Sequence, residues 1–82
     1  MYNSQDELID RNLYEVIIEC KFKNRKIGKT EFAEIIVLYE NGKEERIWTY
    51  NTSKYSFDRL DFIGMTKIEA IFYCDRKKPT RL

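Results

Sequence analysis

The chain has no histidine, which is the side chain that proteins use most often as a general base and as a metal ligand. Its only cysteines, Cys20 and Cys74, cannot by themselves complete a four-ligand zinc site. A cysteine nucleophile needs an activating neighbour, and here only lysine or a helix terminus is available to supply it. We therefore predict no catalytic residue, no metal site and no cofactor, and we predict that the protein is not an enzyme.

Glycine is also scarce, and the chain has no glycine-rich segment. Gly28, Gly42 and Gly64 lie too far apart to form a phosphate-binding loop, and neither a Walker motif nor a dinucleotide-binding fingerprint is present. This absence excludes the common nucleotide-binding folds that are recognised by such loops.

Long apolar runs are missing as well. The opening segment, MYNSQDELID, is polar throughout, and no apolar run approaches the length of a membrane span. We therefore expect a cytoplasmic protein without membrane contacts, in which the two thiols stay reduced and serve as small apolar core residues. The abundance of Ile, Lys, Asn, Tyr and Glu suggests an AT-rich coding genome, such as that of a low-GC bacterium or a phage.

Charged and aromatic residues are what the chain has in quantity. Of its 82 residues, 35% are charged and 15% are aromatic, and the net charge is +1. This length predicts a single domain, residues 1–82, and the near-zero net charge excludes a strongly basic nucleic-acid-binding protein. The aromatic side chains either fill a small β-rich core or stay partly exposed as a binding surface.

The segment 30–51 organises the predicted fold, because two largely apolar runs flank Asn41-Gly42. Asn-Gly is the strongest short-range signal for a β-hairpin and predicts a two-residue type I′ turn. The first run is apolar on both faces, which predicts a central strand that is covered on both sides. The turn also predicts five cross-strand pairs, which are Ala33–Tyr50, Ile35–Trp48, Ile36–Ile47, Val37–Arg46 and Glu40–Lys43.

The segment before the hairpin predicts a further strand, because its residues alternate between apolar and polar. The even-numbered residues from Val16 to Phe22 fall on one face, and only Ile17 breaks the alternation. The polar segment 24–30 then predicts a loop, so that the strands form an antiparallel meander. The predicted strands are 13–23, 31–40 and 43–51.

The segment after residue 56 indicates helical structure. Apolar residues at positions 57, 60 and 63 have helical spacing and precede Gly64, a common helix stop. Thr66 and Glu69 match the capping box that begins a helix, and Pro79 ends it, which predicts a helix over 67–78. Its predicted apolar stripe consists of Ile68, Ile71 and Phe72.

The fold class that we predict is α+β, a three-stranded antiparallel β-meander with a C-terminal helix packed on one face of the sheet. The alternative is a four-stranded, mostly-β fold, because residues 67–75 are also rich in β-branched and aromatic side chains. Ser4 and Glu7 form another capping pattern, so residues 1–12 are predicted to be either a short helix or a frayed tail.

A basic segment supplies the first set of candidate functional residues. Basic side chains in this segment are suited to contact phosphates, while Tyr50, Tyr55 or Tyr73 would stack on bases. The alternative interpretation is that they keep a flexible loop soluble and protect the edge of the sheet from aggregation. The candidates are Lys21, Lys23, Arg25, Lys26 and Lys29.

A second set of candidates, Trp48, Tyr50, Arg46 and Tyr55, is suited to bind a protein partner. Tryptophan, tyrosine and arginine are the residue types most often found as interface anchors. If the C-terminal helix packs on the face that carries Trp48 and Tyr50, these two side chains belong to the core. If it packs on the other face, they form an exposed aromatic patch.

From these observations we predict a small non-enzymatic binding protein that occludes or modulates a macromolecular partner, with a protein as the favoured partner. An inhibitor of a host system, encoded by a phage or mobile element, fits this profile and the AT-rich composition. The alternative is a small nucleic-acid-binding module that uses the basic 21–29 loop. A further hypothesis is a homodimer that forms through an exposed strand edge by sheet extension.

Overall fold

A computed structural model describes residues 12–79, and it shows an antiparallel β-sheet followed by helical segments. The sheet order is β1-β2-β3, so the predicted meander with a C-terminal helix is confirmed and β2 is the central strand. The predicted short helix or tail of residues 1–12 lies outside the described residues, apart from Asn12. The elements are β1 (Ile17–Ile27), β2 (Thr30–Tyr39), β3 (Glu44–Asn51), a 3₁₀-helix (Arg59–Phe62) and the α-helix α1 (Lys67–Arg76).

Helix α1 begins at the predicted capping box. The Thr66 hydroxyl accepts a hydrogen bond from the Glu69 amide at 3.4 Å, and the Glu69 carboxylate accepts one from the Thr66 amide at 2.8 Å. The four-stranded alternative is therefore wrong, because these bonds satisfy the first free amides of a helix. The helix ends at Arg76 rather than at residue 78, since Lys77 has extended backbone angles (φ −64°, ψ 133°).

The face that α1 presents to the sheet differs from the predicted stripe. Ile68 and Ile71 are only half-buried, and Phe72 is 51% exposed. The residues of α1 that face the sheet are instead spaced three and four positions apart along the helix. Two of them, Ala70 and Cys74, are small and permit close packing. The buried residues of α1 are Lys67, Ala70 and Cys74.

The connection between β1 and β2 is a tight turn and not the predicted loop over 24–30. Ile27 pairs with Thr30, so that only Gly28 and Lys29 lie between the strands. Gly28 has φ 62°, whereas no non-glycine residue among those described has positive φ, which matches a type II′ turn with glycine at the first central position. The prediction failed because residues 24–26 are polar, and an exposed edge strand does not require apolar side chains.

The Asn41-Gly42 hairpin is present, but its predicted type I′ turn is wrong. The Gly42 amide donates to the Tyr39 carbonyl at 2.9 Å, and the Tyr39 amide donates to the Lys43 carbonyl at 2.9 Å. Only Gly42 has positive φ (86°), whereas a type I′ turn requires positive φ at Asn41 as well. The hairpin therefore has a three-residue connection, residues 40–42, with glycine in the left-handed position. Tyr39 rather than Glu40 lies opposite Lys43, so the predicted pair Glu40–Lys43 is wrong.

The longer turn is accompanied by a β-bulge in β3. The pairs Ala33–Tyr50 and Ile35–Trp48 are as predicted, but the register shifts by one residue at Ile47. The predicted pairs Ile36–Ile47 and Val37–Arg46 are therefore wrong. In their place, Ile36 lies opposite Arg46 and Val37 opposite Glu45.

Strand β1 also contains a bulge, at Ile18. Ile17 pairs with Tyr39, whereas Glu19 pairs with Leu38, so Ile18 is the extra residue. Ile17 is fully buried and Ile18 is 44% exposed, which reverses the prediction that Ile17 breaks the pattern. A bulge moves the following residues to the other face of a strand, and two consecutive isoleucines give no signal for its position.

The hydrophobic core lies between the sheet and the helical segments. The opposite face of β2 carries Phe32, Ile36 and Leu38, which are only half-buried. Within residues 12–79 no helix covers that face, so the prediction of a central strand covered on both sides is wrong for the described part of the chain. The buried core residues are Ile17, Cys20, Ile35, Val37, Tyr39, Phe62, Ala70 and Cys74.

Candidate functional site

Three of the four residues predicted to bind a protein partner line one groove between β3 and α1, hereafter the β3–α1 groove. Trp48 and Tyr50 extend from β3, Tyr55 lies in the segment that follows it, and all three are half-buried. The groove has a volume of about 320 Å³. The residues that line it are Trp48, Thr49, Tyr50, Asn51, Tyr55, Cys74, Asp75 and Lys77.

Trp48 and Tyr50 lie on the helix side of the sheet because they pair with Ile35 and Ala33, whose side chains are buried there. The helix packs on this face, and both side chains accordingly pack against the hydrophobic core while remaining half-buried. Burial also raises the pKa of the Tyr50 phenol. Neither side chain is completely enclosed, because β3 is the outer strand of the sheet.

A turn around Asn51 positions Tyr55. The Asn51 carbonyl accepts a hydrogen bond from the Tyr55 amide at 3.0 Å, and its side-chain oxygen accepts hydrogen bonds from the Ser53 amide at 2.9 Å and hydroxyl at 2.7 Å. Asparagine commonly stabilises turns in this way, by bonding to the backbone two residues on. The polar segment 51–55 predicts a turn region, and the structure forms a turn at these residues.

An aromatic cluster supports the inner side of the groove. The Tyr50 ring centroid lies 4.7 Å from that of Phe57 and 6.0 Å from that of Phe22. Phe57 and Phe62 in turn lie 6.0 Å and 5.5 Å from Tyr73 on α1. Edge-to-face and tilted ring pairs add roughly 0.5–1.5 kcal/mol each beyond area burial. These rings therefore belong to the core, and they hold Tyr50 in place.

The charged rim of the groove is also fixed by these rings. The Lys77 Nζ atom lies 5.3 Å from the Phe57 ring centroid and 5.5 Å from that of Tyr73, within the range of a cation–π interaction. The Tyr73 hydroxyl donates a hydrogen bond to Asp61 at 2.8 Å, and this bond is the main reason that the pKa of Tyr73 rises to about 12. Lys77 and Asp75 thus add opposite charges to a groove that is lined by both aromatic and polar residues.

A second connection holds α1 against the sheet and was not anticipated from the sequence. The Glu45 carboxylate accepts a hydrogen bond from the hydroxyl of the buried Tyr39 at 2.8 Å and forms an ion pair with the Lys67 ammonium at 2.9 Å. Lys67 is nearly buried, with 9% of its surface exposed. This network joins β2, β3 and the first residue of α1, and it holds the start of the helix against the sheet.

Arg46, the fourth candidate, lies on the opposite side of the sheet. The bulge at Ile47 separates it from Trp48, and it pairs with Ile36 on the face that no described helix covers. There its guanidinium lies 3.0 Å from the Glu34 carboxylate, and Arg25 lies 3.4 Å from the same oxygen. The hydrogen bond from Arg46 is the largest cause of a lowered pKa for Glu34.

The basic candidates do not form a loop, since four of the five lie on β1. By their pairing, Lys21, Lys23 and Arg25 share the open face of the sheet, whereas Lys26 lies on the other face and Lys29 occupies the turn. Lys21 forms an ion pair with Glu44 at 3.2 Å, and Arg25 forms one with Glu34. Most of the basic segment therefore belongs to β1, one of the two outer strands of the sheet.

The tyrosines suggested for base stacking lie away from this open face. Tyr50 and Tyr55 line the groove on the helix side, and Tyr73 packs within the aromatic cluster. The structure thus does not bring these tyrosines together with Lys21, Lys23 and Arg25 on one surface.

The two cysteines are free and buried in the core. Burial raises the pKa of the Cys20 thiol to about 11 and that of Cys74 to about 12, which leaves little reactive thiolate at neutral pH. In residues 12–79 no three cysteine, aspartate or glutamate side chains come together in a group that could hold a metal ion.

Comparison of the chain with protein-family models, with curated proteins and with solved structures finds no match. No helix in the described part of the chain is long and apolar enough to cross a membrane.

Proposed function

We propose that the protein is a small non-enzymatic binding module that occludes or modulates a protein partner. The partner contributes an extended segment that lies along β3 and inserts an apolar or aromatic side chain into the β3–α1 groove. The observation that supports this proposal is the convergence of Trp48, Tyr50 and Tyr55 on one groove beside an outer strand.

The edge of β3 offers the backbone part of such an interaction. Strand β3, residues 44–51, pairs only with β2 among the described residues, so its outer amides and carbonyls face no other strand. Proteins bind extended peptides at edges of this kind by adding a strand, with the backbone giving affinity and side-chain pockets giving specificity.

The groove offers the side-chain part. Half-buried aromatic walls and a charged rim are typical of the centre and the border of a protein interface. The contacts of Tyr50 with the aromatic cluster and the turn at Asn51 fix these walls before any partner arrives. A preformed pocket binds more tightly, because less side-chain freedom is lost on association.

Affinity capture from a bacterial lysate, with and without nuclease, tests the proposal. The tagged protein is compared with Tyr55→Ala, which removes one wall of the groove, and with Tyr14→Ala as the matched control. Tyr14 is 75% exposed and does not line the groove. We expect a defined protein whose recovery survives nuclease, is unchanged for Tyr14→Ala and falls about tenfold for Tyr55→Ala, as for an interface anchor.

The purified partner allows a second readout, since Trp48 is the only tryptophan of the chain and reports on the groove by its fluorescence. Circular dichroism confirms that each variant is folded. Equal capture by folded Tyr55→Ala and by the parent protein would contradict the proposal. Recovery that is lost on nuclease treatment would instead favour the nucleic-acid-binding alternative.

The composition adds a suggestion about the partner. An AT-rich coding sequence and a single small binding domain are consistent with a phage or mobile-element product that inhibits a protein of its host. Under this form of the proposal, the captured protein belongs to the host and its activity falls when the complex forms.

A further inference from the structure

The outer edge of β1 differs from the β3 edge in length, exposure and charge. Strand β1 has 11 residues, of which only Ile17 and Cys20 are buried. The strand pairs with β2 alone among the described strands, so its second edge lies unpaired along most of its length. The exception is the start, where the Ile17 amide and carbonyl bond to Met65 and Gly64.

The charge along this edge is almost entirely positive. From Lys21 to Ile27 every ionisable side chain is basic. Lys21 and Arg25 are already paired with Glu44 and Glu34. In residues 12–79, by contrast, no carboxylate forms an ion pair with Lys23 or Lys26, and the strand alternation places these two side chains on opposite faces of the sheet.

We propose that the outer edge of β1 binds an acidic, extended segment of a partner protein by strand addition. The unpaired edge supplies backbone amides and carbonyls at the spacing that an added β-strand requires. Lys23 and Lys26 supply one positive charge on each face of the sheet beside that strand. This second surface is independent of the β3–α1 groove.

The same charges determine which occupants are excluded. A second copy of the chain that pairs its own β1 edge here would bring lysines and arginines opposite one another, and like charges on facing strands are destabilising. A nucleic acid cannot continue the β-ladder, so it would leave the backbone amides and carbonyls of the β1 edge without strand partners. An acidic peptide strand satisfies both the backbone and the two lysines.

An NMR titration of the full chain tests this inference. The probe is the seven-residue peptide Glu-Glu-Val-Val-Glu-Glu-Val, which carries glutamates on both faces of an added strand. It is added to about 2 mM because a single short strand binds weakly. Two controls are a peptide with lysine in place of glutamate and a ten-residue oligothymidylate. We expect shifts of the amides of residues 21–26 with the acidic peptide and none with the lysine peptide.

Charge-reversal variants identify the contacts. Lys23→Glu/Lys26→Glu should weaken binding of the acidic peptide by about tenfold, the sum of two ion pairs. The matched control, Lys43→Glu/Lys78→Glu, has the same charge change at exposed positions outside β1 and should alter the affinity less than twofold. Tyr55→Ala should leave this binding unchanged, which separates it from the groove.

Three results would overturn the inference. They are an absence of β1 shifts with the acidic peptide, equal weakening by the two double variants, and binding of the oligothymidylate at β1 in preference to the peptide.

Discussion

At the scale of single residues, Glu34 has the most unusual surroundings on the open face of the sheet. Its side chain is 10% exposed, and one carboxylate oxygen lies 3.0 Å from Arg46 and 3.4 Å from Arg25. Strand β2 thus holds a negative charge between an arginine of β1 and an arginine of β3. Both arginines lower the pKa of Glu34 in the folded protein, and the hydrogen bond from Arg46 has the largest effect.

This lowered pKa predicts a pH dependence of stability. A carboxyl group whose pKa falls on folding contributes its stabilisation above its unfolded pKa, about 4.3, and loses it as pH falls through the folded pKa. The free energy of unfolding, measured by urea denaturation, should therefore decrease more steeply below about pH 4 for the parent protein than for Glu34→Gln. Glu40→Gln, at an exposed residue of the hairpin turn, is the control and should keep the parent slope. Parallel profiles for the parent and Glu34→Gln would show that the arginine contacts do not stabilise the fold.

At the scale of elements, the start of α1 was predictable because its signal is local. The capping box needs only Thr66 and Glu69, three residues apart, and it decided between a helix and a fourth strand over the same residues. The hydrogen bonds of the capping box join residues that are close in the sequence, so they could be predicted without knowing the tertiary packing.

The capping box predicts that Thr66→Ala lowers the free energy of unfolding by about 1 kcal/mol, the usual contribution of an N-cap side chain. Thr66→Ser keeps the hydroxyl and should retain most of the stability. Thr49→Ala, at an exposed position of β3, serves as the comparison. The measurement is equilibrium urea unfolding followed by circular dichroism. A loss in Thr66→Ser as large as in Thr66→Ala would point to the methyl group rather than the cap.

The strands show why other details escaped the sequence. The apolar patterns predicted the three strands, and the Asn-Gly turn predicted the pairing of Trp48 and Tyr50 with β2. Neither signal predicted the bulges at Ile18 and Ile47. A bulge adds one residue without a characteristic sequence, and every later side chain then changes face. The bulge at Ile47 therefore separates the predicted partner-binding residues. Arg46 lies on the open face of the sheet, whereas the aromatic candidates line the β3–α1 groove. The prediction of the hairpin turn type was also wrong, because Asn-Gly is compatible with a three-residue connection as well as with a two-residue turn.

At the scale of the whole molecule, a partly buried ion pair connects α1 to the sheet. Glu45, which is on β3, bonds to Tyr39 and to Lys67, and so connects the central strand, the outer strand and the helix. This network could not be predicted from the sequence, because it is the bulge at Ile47 that brings Glu45 opposite Val37 on the helix side.

The network predicts unequal effects of removing its two charges. Glu45→Ala should lower the free energy of unfolding by about 2 kcal/mol, less than the roughly 3–5 kcal/mol for a fully buried pair, because Glu45 is one-third exposed. Lys67→Met should cost less than about 1 kcal/mol, because an apolar chain of similar volume replaces the buried ammonium and the remaining Glu45 carboxylate is one-third exposed and still bonded to Tyr39. Urea unfolding of both variants tests the order, and a larger loss for Lys67→Met would contradict it.

The two outer strands give the molecule different surfaces at its opposite edges. Strand β3 borders an aromatic groove, whereas β1 presents a basic edge. Partners of different chemistry could therefore bind at the same time, because β2 separates the two strands. The proposed binding function rests mainly on β3, where the candidate aromatic residues converge.

Amide hydrogen exchange of the protein alone and in complex with the captured partner tests this central claim most directly. Strand addition at β3 predicts slower exchange in residues 44–51, with the central strand β2 as the internal reference for global stability. The same complex should show no such slowing with the Tyr55→Ala variant at equal concentrations. Protection confined to residues outside β3 and the β3–α1 groove would contradict the claim and place the partner elsewhere on the molecule.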